Sequence, residues 1–325
     1  MRLASFIIGD HRTWGVVARD ETLVAAAQIK GLPGTLADHI ETQEAAAIEA
    51  LNSASEDGRG VPPDDVIWLP PIPRPGKIIG VAINNTMGQR AAVRPFANPA
   101  FFFKPSSCLT GHEQPVIIRE SFGITHPEPE LAVVVGRGGR GIPEADATKH
   151  IFGYSILNDI TSPGLKSGDS IEIVSPTDRP ANAYRELLGW RNVRDDDHAR
   201  STYLTYHARS KGTDTFGPVG PWITTADEVA DPNDLAIRSF DGDTPVFEDS
   251  TANLAFSVEQ ILSHASQFMT LEAGDIIHCG TAMRPAANSP YSGLTNWNLQ
   301  SVSGRPMRVD IEGIGTLRNP VRVEQ

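Results

Sequence analysis

From Lys77 to the C-terminus the apolar residues come in short runs, and Gly, Pro or Asp bounds most of them. They include IIGVAI (78–83), AFFF (100–103), VII (116–118), LAVVV (131–135), FGYSIL (152–157), MRVDI (307–311) and IGTL (314–317). Runs this short and this often interrupted suit strands and leave little room for long helices. A β-rich α+β core is therefore expected. One helix is well signalled. Ser257 with Gln260 three residues on resembles a capping box, and Val258, Ile261, Leu262, Ala265, Phe268 and Met269 form its apolar face.

Upstream, LASFII (3–8) and WGVVA (14–18) flank Gly9-Asp10-His11-Arg12, the pattern of a β-hairpin. A helical pattern runs from Leu36 through Ile40, Ala47, Ile48 and Leu51. Gly, Pro and charge then crowd residues 53–76, which read as a linker. The expected division is a small N-terminal β/α module over 1–70 and a larger domain over 71–325. Within the larger domain, 163–210 is polar yet carries Tyr184, Trp190, Tyr203 and Tyr206. Aromatics at that density predict an ordered excursion that packs on something.

Charge and cysteine usage narrow the partners. Lys and Arg number 28 against 40 Asp and Glu, a net charge of −12. Nucleic acid and anionic membranes both require clustered basic residues, so neither is expected as a partner. The two cysteines, Cys108 and Cys279, form no disulfide framework and do not match CxxC metal spacing, which fits a reducing cytoplasm. The apolar stretch near the N-terminus is too short for a signal peptide, and no run of about 20 apolar residues exists to span a bilayer.

The segment GRGGRG (136–141) follows a strand pattern and formally satisfies the dinucleotide-binding spacing, with Asp159 at the distance of a ribose-binding acid. Only PEADATKH separates it from the next strand, too little for the helix such a site needs, so it reads as a tight turn. The informative constellation is acidic. In His126-Pro127-Glu128-Pro129-Glu130, leading into LAVVV, the prolines favour extended chain, and side chains two apart lie on one face. Glu128 and Glu130 therefore point the same way and repel, which a divalent cation relieves. Asp159, at the end of another apolar run, is the best third ligand. Three carboxylates make an all-oxygen site for Mg²⁺ or Mn²⁺, with Ca²⁺ admitted by the same donors. A solvated acidic strand end is the competing reading of that spacing. Two Gly-rich stretches complete the set. Lys211, in KGTDTFGPVGPW, reads either as a charge partner or proton donor for the acidic group or as a surface lysine. Gly280 and Thr281 close GDIIHCGT, where backbone N–H groups and a hydroxyl could hold an anionic oxygen, or where a strand merely leaves the core.

Taken together, KIIGVAIN (77–84), FFFKPSS (101–107), PEPELAVVVG (127–136), IFGYSILND (151–159), KGTDTFGPVGPW (211–222), the stretch 247–281 and IEGIGTLRNPV (311–321) resemble the fumarylacetoacetate hydrolase family, in the family's order. The resemblance implies a mixed β-roll or β-barrel-like core, usually dimeric. It implies Mg²⁺ or Mn²⁺ on Glu128, Glu130 and Asp159, and Lys211 is similar to a substrate-contacting position; Lys211 and Glu128 are the expected catalytic residues. Lys104, Gly280 and Thr281 are similar to substrate-contacting positions. The substrates it implies are small 2-oxo acids, undergoing C–C hydrolysis, decarboxylation, tautomerisation or dehydration.

The chain also departs from the family pattern. Hydrolytic members follow the first core strand with an N-Y-x-x-H-x-x-E-like stretch, whereas here it reads Asn84-Asn85-Thr86-Met87-Gly88-Gln89-Arg90-Ala91. NDITSPGLK likewise lacks the Arg and Gln usual after the N-D pair. The primary expectation is a metal-dependent hydrolase cleaving a C–C bond in a 2,4-dioxo acid, with a replacement base among His112, His126, His207 and His278. The alternative is a lyase of the same family, either a 2-keto-3-deoxy sugar acid dehydratase or an oxo-acid decarboxylase or tautomerase. A third reading, from a different class, is an oxo-acid binding protein without turnover.

Overall fold

The computed structural model describes residues 1–92, 95–174 and 201–325. The N-terminal hairpin pairs β1 (Arg2–Ile8) with β2 (His11–Val17) and turns on Gly9-Asp10 alone, Ile8 facing His11. Gly9 sits at φ +56°, a conformation the tight turn requires and glycine adopts without a Cβ clash. The strands β3 (Leu23–Ala25) and β4 (Ile67–Trp68) add to β2 and β1.

Two expectations for this region are corrected. The helical pattern over Leu36–Leu51 forms two helices, Leu36–Thr42 and Ala45–Asp57, broken where Gln43 adopts φ +45°. The Gln43 amide donates to the carbonyls of Ile40 and Gly136, so a long-range tether ends the first helix. Residues 53–76 are not a free linker. The second helix occupies their start, Val61 exchanges both backbone hydrogen bonds with Leu23, and Trp68 is buried.

The remaining strands follow as β5 (Ile78–Val81), β6 (Phe101–Lys104), β7 (Leu109–Thr110), β8 (Val116–Arg119), β9 (Pro129–Val135) and β10 (Ile151–Asn158). After them come β11 (Ser170–Val174), β12 (Ser201–Thr205), β13 (Gly217–Thr225), β14 (Ala236–Asp241) and β15 (Thr244–Ser250). The last are β16 (Ile276–Thr281), β17 (Pro306–Ile311) and β18 (Gly315–Glu324). Among the described residues eleven strands make one mixed sheet, ordered β3-β2-β1-β13-β10-β9-β16-β5-β6, with β4 on β1 and β7 on β13. A second sheet runs β15-β14-β17-β18-β8. The fold is a strand-rich α+β arrangement.

Strands β9 and β10 are buried at every residue, as expected where both faces of a sheet are covered. The helix Val258–Phe268 supplies part of that cover. Its Val258, Ile261, Leu262 and Ala265 join Val133 of β9 and Ile277 of β16 in one core cluster, whereas Phe268 is exposed. Both hydrogen bonds of the Ser257–Gln260 capping box are present. The GRGGRG segment forms bends, and a 3₁₀ helix, Glu144–His150, follows it instead of a long crossing helix. Of the excursion, the short helices Pro163–Gly168 and Ala208–Gly212 flank the antiparallel pair β11–β12. Tyr184 and Trp190 lie outside the described residues. Among the described residues no helix is long and apolar enough to cross a membrane.

Candidate active site

The site grows from the register of three neighbouring strands. On β9 and β10, Pro129 faces Asn158 and Glu130 faces Leu157. The chain just outside both strands stays paired. The Glu128 N–H donates to Asn158 Oδ1 at 2.9 Å, and the Asp159 N–H donates to the Glu128 carbonyl at 2.8 Å. Strand periodicity puts Glu128 and Glu130 on one face, and this register puts Asp159 beside them.

On the other side of β9 lies β16, whose register slips between His278 and Thr281. His278 faces Ala132 and Thr281 faces Glu130, so three steps on β16 span two on β9. A bulge of this kind re-aims side chains that would otherwise point to opposite faces. Both now reach Glu130. His278 Nδ1 lies 2.8 Å from Glu130 Oε2, and the Gly280 N–H donates to the same oxygen at 2.6 Å. The Thr281 hydroxyl lies 3.1 Å from Glu130 Oε1 and 3.2 Å from Glu128 Oε2, its one proton serving either. Gly280 is required at this bend. Its φ is +115°, and a Cβ there would come within 2.7 Å of Asn84 Cβ.

Two lysines meet the carboxylates. Lys211, on the helix Ala208–Gly212, donates to Asp159 Oδ2 at 2.5 Å and to Glu128 Oε2 at 3.0 Å, and its ammonium lies 4.9 Å from the centre of the Phe102 ring. Lys104, at the end of β6, donates to Asp159 Oδ1 at 2.6 Å and to the Lys211 carbonyl. Its side chain is wholly buried, so its ammonium is engaged within the protein behind the cluster. Burial opposes ionisation of Asp159, but the ammonium groups of Lys104 and Lys211 outweigh it and hold that carboxyl well below the usual range. Burial likewise opposes charge on Lys211, and Asp159 and Glu128 overcome it, pushing its pKa up. Glu128 is also lowered, burial being outweighed chiefly by Lys211.

Glu130, Asp159 and His278 offer ligand atoms that all lie within 4.8 Å of one another. Glu128 joins them through the Lys211 ammonium and the Thr281 hydroxyl. Among the described residues three carboxylates thus face two ammonium groups, one negative charge in excess in a buried setting. The donor set fits a hard divalent cation held by oxygen. The imidazole of His278 is what the acidic spacing could not reveal, because only the pairing of β16 on β9 sets it opposite Ala132, on the face that carries Glu130. Of the other histidines, His126 is buried with Nδ1 3.8 Å from Glu128 Oε1. His112 instead accepts the Arg318 N–H. His207 is exposed and precedes the helix that carries Lys211.

The Asn84–Ala91 stretch has structural work of its own. Asn84 Nδ2 donates to the carbonyls of Cys279 and Phe256, and Asn84 Oδ1 accepts the Phe256 N–H. Asn85 Nδ2 donates to the Thr281 carbonyl and to Asp249, while its Oδ1 caps the short helix Thr86–Arg90. These two residues brace the bend that carries Gly280 and Thr281. The side that a Cβ on Gly88 would occupy is apolar, with Ile83 Cγ2 at 3.2 Å and Met283 Sδ at 3.4 Å.

Comparison with known proteins supports a common ancestry for this arrangement. The family described as fumarylacetoacetate (FAA) hydrolase C-terminal matches residues 77–322. An uncharacterized protein of Archaeoglobus fulgidus is 33% identical over 264 residues, which cover 81% of this chain and 85% of that one. A mitochondrial oxaloacetate tautomerase of Xenopus laevis is 27% identical, over 89% of this chain and 79% of its own. Among solved structures, maleylpyruvate hydrolase from Sphingobium sp. SYK-6, in complex with manganese(II) and pyruvate, covers the whole of both chains at 27% identity with a TM-score of 0.70.

Proposed function

Since the chain belongs to the fumarylacetoacetate hydrolase family, whose members here include hydrolases, isomerases, decarboxylases and tautomerases of oxo acids, we propose that it is a divalent-cation-dependent enzyme of small 2-oxo acids. Its reaction, in this reading, is proton transfer beside the oxo group: keto–enol tautomerisation, or decarboxylation of a 3-carboxylated 2-oxo acid. The observation that carries the proposal is the convergence of Glu128, Glu130 and Asp159 beneath Lys211 and Thr281.

In this reading Glu128, Glu130 and Asp159 hold Mg²⁺ or Mn²⁺. The bound cation supplies Lewis-acid polarisation of the 2-oxo oxygen. Lys211 holds a proton at Nζ between two carboxylates and would deliver it to the carbon beside the oxo group, in exchange for the enol hydroxyl proton released to solvent in tautomerisation, or in place of the departing carbon dioxide in decarboxylation. Thr281 orients a substrate oxygen through its hydroxyl, and the braced Gly280–Thr281 bend keeps that hydroxyl in place. Proton transfer needs no separate base to activate water. That agrees with Gly88 and Ala91 standing where the hydrolytic pattern has His and Glu.

C–C hydrolysis of a 2,4-dioxo acid is the second reading, favoured by the full-length likeness to a maleylpyruvate hydrolase. One assay separates the two. The purified chain is given oxaloacetate enol, oxaloacetate and an acylpyruvate with Mg²⁺ or Mn²⁺, and products are followed by enol absorbance and mass. Loss of enol absorbance, or release of carbon dioxide, supports proton transfer. Pyruvate plus a shorter acid from the acylpyruvate supports hydrolysis. Inertness toward all three by a cation-loaded protein overturns both.

A further inference from the structure

We propose that His278 is a positioning residue for Glu130, gripping the carboxylate from behind through Nδ1 and standing outside the ligand set of the cation. The inference rests on the cation-binding reading above. His278 is fully buried, and its Nδ1 lies 2.8 Å from Glu130 Oε2. That oxygen also accepts the Gly280 N–H at 2.6 Å. With two donors on Oε2, the oxygen turned toward Thr281 and the rest of the cluster is Oε1.

The far side of the ring decides between gripping and ligating. Nε2 is buried and has no hydrogen-bond partner among the described residues. It is walled by Gly80 and Phe102: a Cβ on Gly80 would come within 2.5 Å of Nε2 and 2.2 Å of Phe102 Cζ. Phe102 packs edgewise on the imidazole, with ring centres 5.4 Å apart. Nε2 therefore faces the wall. If Nδ1 were a ligand, a neutral ring would carry its proton on Nε2, where no acceptor lies among the described residues, and a buried N–H left unpaired is destabilising. With the proton on Nδ1 the donor meets a carboxylate and no buried N–H is orphaned. Such outer partners fix a ligating carboxylate's orientation, and losing one typically weakens metal affinity about 10–100-fold. Gly80 is not dispensable here, since it makes room for the ring, and the pairing of His278 with Ala132 puts that ring on the Glu130 face.

The test uses Mn²⁺ as the probe, with wild type, His278→Leu and His278→Asn, whose side-chain amide nitrogen sits near the position of Nδ1. Mn²⁺ affinity is read from the free-ion EPR signal, ligand nitrogen from electron spin-echo modulation, and folding from thermal unfolding. The expected results are three: no directly bound nitrogen in wild type, an affinity about 10–100-fold weaker in the Leu variant, and recovery of most of it in the Asn variant. A nitrogen coupling in wild type that vanishes in His278→Asn overturns the proposal, as does wild-type affinity in a folded His278→Leu protein. Should the Leu variant not fold, weak Mn²⁺ binding by a folded Asn variant overturns it equally. Failure of wild type to bind Mn²⁺ at all defeats the cation reading itself, a different result from any of these.

Discussion

Lys104 Nζ lies 2.6 Å from Asp159 Oδ1, and neither side chain has exposed surface. Removing one member of a buried ion pair leaves the other charge uncompensated, at a cost of about 3–5 kcal/mol. Asp159 keeps the Lys211 ammonium, so Lys104→Met is expected to lower stability to urea by up to about that amount. Replacing both, as Lys104→Met with Asp159→Leu, is expected to cost less than the two single losses added together. Additive losses would show that the pair is not coupled.

Lys211 stands between two carboxylates with its charge reinforced by both. Lys211→Met is expected to reduce turnover of oxo acid by about 10²–10⁴-fold, the usual contribution of a positioned proton donor. The same change removes a competing positive charge, so Mn²⁺ affinity should rise. Steady-state kinetics alongside a Mn²⁺ titration check the opposed directions. A parallel fall in both would reduce Lys211 to a structural prop.

Gly280→Ala forces a Cβ against Asn84 in a left-handed backbone position. The strain is worth about 1–3 kcal/mol, and any relief moves the N–H that donates to Glu130. Thermal unfolding should register the first effect and Mn²⁺ affinity the second. Ala at this position with wild-type values of both would contradict the tight bend.

Acid stability should carry the signature of a buried histidine. Burial pushes the His112 imidazole down to about 4, with Arg318 adding to the effect and Glu113 opposing it, against an unfolded value of about 6.5. Between those values the unfolded chain binds more protons than the folded one, so stability falls as pH drops through the window. The full difference is about 3 kcal/mol. His112→Gln should flatten the dependence of unfolding free energy on pH between 4 and 6.5, and an unchanged slope would assign the acid sensitivity elsewhere.

Local patterning carried the reading of this chain as far as local forces act. Glu128 and Glu130 share a face because a strand repeats every two residues, and the capping box at Ser257 is written in four consecutive positions. Distant contacts set the rest. Gln43 breaks a continuous helical pattern because its amide reaches Gly136, and residues 53–76 look loose in composition yet pair with β1 and Leu23. His278 sits in an apolar run like any core residue, and only its pairing opposite Ala132 of β9 sets it on the face of Glu130. Lys104 follows three phenylalanines on an edge strand, with nothing nearby to say that its ammonium is sealed against Asp159.

Strand β9 is hydrogen-bonded along both flanks, to β10 and to β16. Sliding it by one residue would swing Glu128 and Glu130 together to the opposite surface. Correct threading of the sheet and assembly of the acidic trio are thus a single event. If the trio binds a divalent ion as proposed, any compact but misregistered species would be blind to it, and ion uptake during refolding would serve as a clock for the moment the strands find their partners.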